Sequence, residues 1–193
     1  AAATLASTST LVAQDGPPGA GGPGARRAPL PLAASRKATF TATEATWMSL
    51  DVSPDGRTIV FDLLGDLYTM PITGGKATQL TSGLAFDAQP RFSPDGKRVV
   101  FVSDRSGGDN VWMMTLDRAD STQLTMGNGS LYVSPEFSPD GQYIVVSQSG
   151  GLGGAARLQL LHVDRRSPMS VLPTGTQKTI GAAFTPDGKK VFY

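Results

Sequence analysis

At 193 residues, with 17% charged side chains and a formal net charge of +1, the chain carries no strong field that would draw it to nucleic acid or to an anionic membrane. It has no cysteine, which excludes disulfides and thiolate zinc sites and is compatible with export. The length accommodates one domain or two small ones.

The N-terminal part differs from the rest. Residues 1–13 are rich in Ala, Ser, Thr and Leu, and Leu11-Val12-Ala13-Gln14 resembles the end of a secretory signal peptide. There is no initiator Met or basic leading region, so the alternative is a disordered Ala-rich tail. In either case the segment is too polar and too short to span a bilayer. Residues 14–24 carry five Gly and three Pro, which is linker composition. Arg26-Arg27 and Arg36-Lys37 read as solvated linker. The predicted division is a signal-like segment and linker over 1–35, followed by an ordered unit over 36–193. Order is predicted to resume at 37–43, which alternates as a strand and serves either as a lead-in or as a closing strand for a later sheet.

From there one tetrapeptide recurs: Ser53-Pro54-Asp55-Gly56, Ser93-Pro94-Asp95-Gly96, Ser138-Pro139-Asp140-Gly141 and Thr185-Pro186-Asp187-Gly188. The prolines are spaced by 40, 45 and 47 residues, a period typical of propellers and solenoids. Pro presets φ for the first corner, Asp can bond the backbone locally, and Gly accepts φ > 0 at the exit. The expected structure is a hairpin on a type I turn with a Gly bulge.

A short alternating run precedes each turn. An almost wholly apolar run follows it: 58–61, 99–102, 143–146 and 191–193. Such runs read as strands buried on both faces. Two more strands complete each unit, 66–72 with 77–81, 110–116 with 121–125, and 157–163 with 168–172. The fourth unit breaks off inside its second strand. A blade of four strands cannot bury both faces alone, but stacked blades can. The predicted fold is therefore all-β: an incomplete β-propeller of about three and a half four-stranded antiparallel blades, near 44–82, 83–126, 127–173 and 174–193, behind a disordered N-terminal tail.

The unit Phe92-Ser93-Pro94-Asp95-Gly96-Lys97-Arg98 with Val99-Val100-Phe101-Val102-Ser103-Asp104-Arg105 and Gly107-Gly108-Asp109-Asn110-Val111-Trp112 resembles the WD-like repeat of TolB-type and tricorn-type propellers. A narrower likeness, carried by Trp47 and Met48 through Tyr68, is to the propeller that precedes a metal-dependent amidohydrolase domain in some bacterial exported proteins. That likeness implies a downstream catalytic domain holding metal through several His and a carboxylate, opened by a His-x-His strand. This chain has one histidine, His162, in an apolar strand, where it reads as a packed or surface residue and not as a ligand.

No other constellation survives inspection. A Ser-His-Asp triad would need His162, and no Gly-x-Ser-x-Gly elbow is present. Gly19-Ala20-Gly21-Gly22-Pro23-Gly24 and Gly151-Leu152-Gly153-Gly154-Ala155-Ala156 satisfy the dinucleotide fingerprint in form only. The first lies in linker, and the second precedes a strand where the cofactor would need a helix. Asp104 is expected to pair locally with Arg105 or to cap the strand end, and Asp104 with Asp109 lacks the spacing of a calcium loop. Trp47 and Trp112 read either as part of a binding face or as packed between blades, and their strand context favours packing.

No catalytic, cofactor-binding or metal residue is thus assigned in this chain, and its ligand-binding residues stay open. The leading expectation is a non-catalytic propeller segment of an exported, periplasmic or extracellular hydrolase of amidohydrolase type. Its partner would be a downstream catalytic domain, whose metal would be the only cofactor. Alternatives are a TolB-like periplasmic module that binds a protein partner, and the propeller of a prolyl oligopeptidase or tricorn-like serine peptidase. Neither nucleic acid nor a membrane span is expected.

Overall fold

A computed structural model describes residues 40–117, 120–150, 156–164, 168–170 (backbone only) and 180–193. Their regular structure is entirely β. The first sheet holds β1 (Leu50–Val52), β2 (Thr58–Leu63), β3 (Asp66–Pro71) and β4 (Thr78–Gln79). The second holds β5 (Asp87–Phe92), β6 (Arg98–Ser103), β7 (Asn110–Thr115) and β8 (Ser121–Gln123), and the third β9 (Ser130–Phe137), β10 (Tyr143–Gly150), β11 (Arg157–His162) and β12 (Pro168–Ser170). β13 (Ala183–Phe184) and β14 (Val191–Phe192) form a two-stranded sheet. Each four-stranded sheet runs in chain order with antiparallel neighbours. This is the incomplete all-β propeller that the repeats predict.

The tetrapeptides build the first hairpin of every unit. Gly56 N–H donates to Ser53 O at 2.8 Å and Ser53 N–H to Thr58 O at 2.8 Å, and the other three copies repeat both bonds. The glycines Gly56, Gly96, Gly141 and Gly188 have φ of 71, 68, 70 and 69°, so the turn needs a residue that tolerates the left-handed region. In each copy the Ser or Thr hydroxyl donates to the Asp Oδ1 and accepts the N–H five residues on. The same Asp Oδ1 accepts the N–H of the residue after the glycine. The hydroxyl bond is the main reason that Asp55, Asp95, Asp140 and Asp187 are held below the ordinary carboxylate range.

Period-two alternation distributes the core. On β6, Val99 and Phe101 face the first blade, where they meet Val60 and Leu67, while Val100 and Val102 face the third blade and meet Ile144 and Val146. On β10, Val145 turns the other way and joins Leu158 and Ala182. The second strands β2, β6 and β10 are therefore buried on both faces, as their uninterrupted apolar runs predict. The run at 191–193 does not follow them, since Val191 on β14 is half-buried while Phe192 and Tyr193 are 66 and 63% exposed. The first strands β1, β5, β9 and β13 approach one another in succession, which places them innermost around the axis; the fourth strands lie outside against their own third strands.

Two expectations fail near the start. Residues 37–39 lie outside the described set, and 40–43 form no strand apart from a single bridge at Ala42. Trp47 is not packed between blades: it is fully exposed, with φ at 61°. It precedes β1, so the strand context that would have buried its ring is absent. Trp112, on β7, does pack into the core between the first two blades.

Candidate functional site

The residue two places before each turn Ser or Thr falls on an innermost strand. In order these are Asp51 on β1, Arg91 on β5, Glu136 on β9 and Ala183 on β13. The first three form a row of alternating charge that runs from blade to blade around the axis. Arg91 Nη1 donates to Leu50 O at 3.0 Å and to Pro90 O at 2.9 Å, and its Nε lies 3.6 Å from Glu136 Oε2. Asp51 Oδ2 accepts Phe92 N–H at 2.8 Å, tying the first blade to the second. Burial raises the Glu136 carboxyl above its ordinary value, opposed by Arg91 and reinforced by Asp51. A cleft of about 500 Å³ opens beside this row, lined by Arg91, Pro135, Glu136, Ala183, Phe192 and Tyr193.

Bulges shape the strands that carry the row. Register shifts occur around Gln89-Pro90 on β5 and Ser134-Pro135 on β9. Gln89 and Ser134 take φ of 57 and 55°, and Gly181, at the same offset before its turn, takes 74°. Left-handed conformations at non-glycine residues persist only where the surroundings enforce them, and here hydrogen bonds do so. Gln89 N–H donates to Asp62 Oδ2 at 2.8 Å, Ser134 N–H to Gln89 Oε1 at 2.6 Å, and Gly181 N–H to Ser147 Oγ at 3.0 Å. Each bond joins one blade to the blade before it.

A second polar cluster lies at the rim between the first two blades. Arg105 does not pair with neighbouring Asp104. Its Nη2 bonds Asp87 Oδ2 at 2.7 Å, and its guanidinium lies over the rings of Phe101 and Trp112 at 5.1 and 5.0 Å. The aromatic slot holds the guanidinium against Asp87 on β5 and the hydroxyls of Ser103 and Ser121, while Asp104 Oδ1 caps the incoming loop by accepting Phe86 N–H at 2.8 Å. Burial pushes the Asp66 carboxyl up to about 6, against the hydrogen bond from Gln79 and with help from Asp87. An acid raised in the fold above its ordinary 3.8 contributes stability that is present below about pH 3.8 and lost as pH rises through about 6. Asp66→Asn should therefore gain stability relative to wild type as pH climbs from 4 to 7. Denaturant midpoints across that range check this; a difference that is flat with pH would contradict it.

His162 is half-buried, edge-on to Tyr143, with Nδ1 accepting Asp164 N–H at 3.1 Å, so its environment is structural. The fingerprint-like stretches at 19–24 and 151–155 lie outside the described residues; the latter joins antiparallel β10 and β11, a hairpin and not a strand–helix unit. Among the described residues no three His, Cys, Asp or Glu side chains come together to hold a metal ion. Sequence reasoning missed the charged row and the bulges. Aligning the four turns would have exposed the row, and the prolines inside strands would have signalled the bulges.

The profile of the tricorn protease N-terminal beta propeller domain matches residues 36–193. The chain belongs to that family. This tricorn-type propeller is 28% identical over 165 residues to the Tol-Pal system protein TolB of Wolinella succinogenes, covering 82% of this chain and 38% of that protein. An uncharacterized protein of Agrobacterium fabrum is 29% identical over 154 residues, 73% of this chain and 52% of the relative. The propeller thus spans about half the length, or less, of these curated relatives. Among solved structures it is similar to TolB from Acinetobacter baumannii, with TM-score 0.63 and 22% identity over 75% of this chain and 36% of that one. A puromycin hydrolase gives TM-score 0.60 and 20% identity over 76% of this chain and 25% of that one. These likenesses confirm the propeller fold.

Proposed function

We propose that this propeller is a non-catalytic interaction module of an exported, periplasmic or extracellular protein, and that its axial cleft receives a protein segment. The observation that carries this reading is the row Asp51, Arg91, Glu136 beside the open cleft. Three charges of alternating sign, held on strands of a rigid sheet stack, present a fixed electrostatic pattern, which confers specificity on a polar partner more than raw affinity. The relatives named as Tol-Pal system proteins favour a separate protein as the occupant. Among the described residues no helix is long and apolar enough to cross a membrane.

The second reading is a propeller docked on a catalytic domain of its own parent polypeptide. The first-blade residues 46–68 favour an amidohydrolase there, and the similarity to puromycin hydrolase a peptidase. One experiment separates the two: a photo-crosslinking residue in place of Ala183, in the parent protein expressed in its own cell. A crosslink to a discrete second protein supports the TolB-like reading, and a crosslink within the same chain supports the docked-hydrolase reading. No crosslink above that of a control at Lys97, on the exposed turn face, would overturn both.

A further inference from the structure

Antiparallel alternation puts the second-to-third strand turns and the blade-to-blade connections at one end of the ring. At the junction of the first two blades that end is apolar. Leu64, Leu84 and Phe86 are 79, 62 and 63% exposed. The hairpin tip that carries Leu64 rests on the connection that carries Leu84 and Phe86: a Cβ built on Gly65 would lie 3.2 Å from Phe86 Cδ2, and Asp87 N–H donates to Gly65 O at 2.8 Å.

Folding does not account for Leu64. It occupies the first corner of a two-residue turn between Leu63 and Asp66, with φ of 54° there and 86° at Gly65. Both values belong to a type I′ hairpin, where Asn-Gly is preferred and leucine is disfavoured. The chain thus places a large apolar side chain at a backbone position that resists it and then leaves it in water.

The patch is edged by negative charge. Asp104 is exposed beside Phe86, and Asp66 follows the hairpin tip, half-exposed. Asp87 lies beneath, its carboxylate buried and its Oδ1 without a hydrogen-bond partner. The nearby cation, Arg105, is held by Asp87 Oδ2 and by two aromatic rings. An apolar knob with an acidic edge complements a segment that is apolar and basic.

We propose that this rim patch, Leu64, Leu84 and Phe86 edged by Asp66 and Asp104, docks an apolar, cationic segment of a partner protein. It is a second surface, at the second-to-third-strand end of the blades, and it shares no residue with the axial row. The apolar side chains supply the buried contact, and the two carboxylates select lysine or arginine at its border.

The test uses the full chain at pH 8 and fluorescence anisotropy with a labelled ten-residue peptide of alternating Leu and Lys, against a matched peptide of Leu and Glu. Saturable binding of the Leu-Lys peptide is expected, with at least tenfold weaker binding of the Leu-Glu peptide. Leu64→Asn should weaken the Leu-Lys affinity about tenfold while leaving the melting temperature equal or higher, since Asn suits the turn. Leu84→Ser and Asp66→Asn should each weaken it as well. Axial variants such as Arg91→Glu should leave it unchanged, so failure here is distinguishable from failure of the axial reading. Equal binding of the two peptides, or affinity insensitive to Leu64→Asn and Leu84→Ser, would overturn the proposal. So would a dimer in sedimentation that Leu64→Asn dissociates and the peptide does not, because the occupant would then be a second copy.

Discussion

Replacing Arg105 by Leu is expected to lower the unfolding free energy by about 3–5 kcal/mol, the usual cost of removing one partner of a buried ion pair. Arg105 is bonded to Asp87, whose side chain is only 2% exposed, and donates to Ser103 Oγ at 2.9 Å and Ser121 Oγ at 3.2 Å. Without the guanidinium, Asp87 keeps a buried charge with one oxygen already unpartnered, and Phe101 and Trp112 lose the cation over their rings. For a chain of this size the melting temperature should fall by roughly 10 °C. Removing both charges, Asp87→Asn with Arg105→Leu, should cost clearly less than the sum of the single changes, because the uncompensated charge is gone. A loss below about 1 kcal/mol for Arg105→Leu in a denaturant titration would show that water reaches Asp87 and that the pair is not a buried one.

Phe101→Ala is the other large effect. Phe101 is completely buried and projects from the middle of β6 into the seam between the first two blades, among Val60, Leu67, Phe92 and Met114. Truncating a buried aromatic ring costs about 3–5 kcal/mol through lost transfer energy and the cavity left behind. The seam restricts collapse, since both walls are sheets fixed by their own hydrogen bonds, so the upper part of that range is expected. It also underlies the Arg105 slot, so Phe101→Ala and Arg105→Leu should be non-additive. A urea titration giving a loss under about 1.5 kcal/mol would mean that the seam is not packed as described.

The architecture was legible because local and global signals coincide. Ser53-Pro54-Asp55-Gly56 and its copies dictate a hairpin by φ preference alone, and runs such as Val99-Val100-Phe101-Val102 announce burial on both faces. Trp47 was misread because a tryptophan near apolar residues suggests packing, while the length of β1, three residues, depends on pairing that no local signal sets. Arg105 was misread for a similar reason: sequence adjacency favoured Asp104, yet the strand register carries the guanidinium across to Asp87 on β5, 18 residues away. The axial row lay in plain view at one offset from each turn. Its members differ in charge, so no shared residue type marks it, and it emerges only when the four turns are aligned.

Interaction through the axial row is tested most directly by swapping its charges while following the crosslink from position 183. Arg91→Glu and Glu136→Arg should each abolish most of the crosslink, at a stability cost of no more than about 1 kcal/mol for a half-exposed pair. The double swap restores the attraction between the two positions but reverses the pattern shown to a partner. It is expected to recover wild-type stability and not to recover the crosslink. A double swap that restores both, or single variants that crosslink as well as wild type, would mean that the row only joins blades and that the cleft does not read a partner.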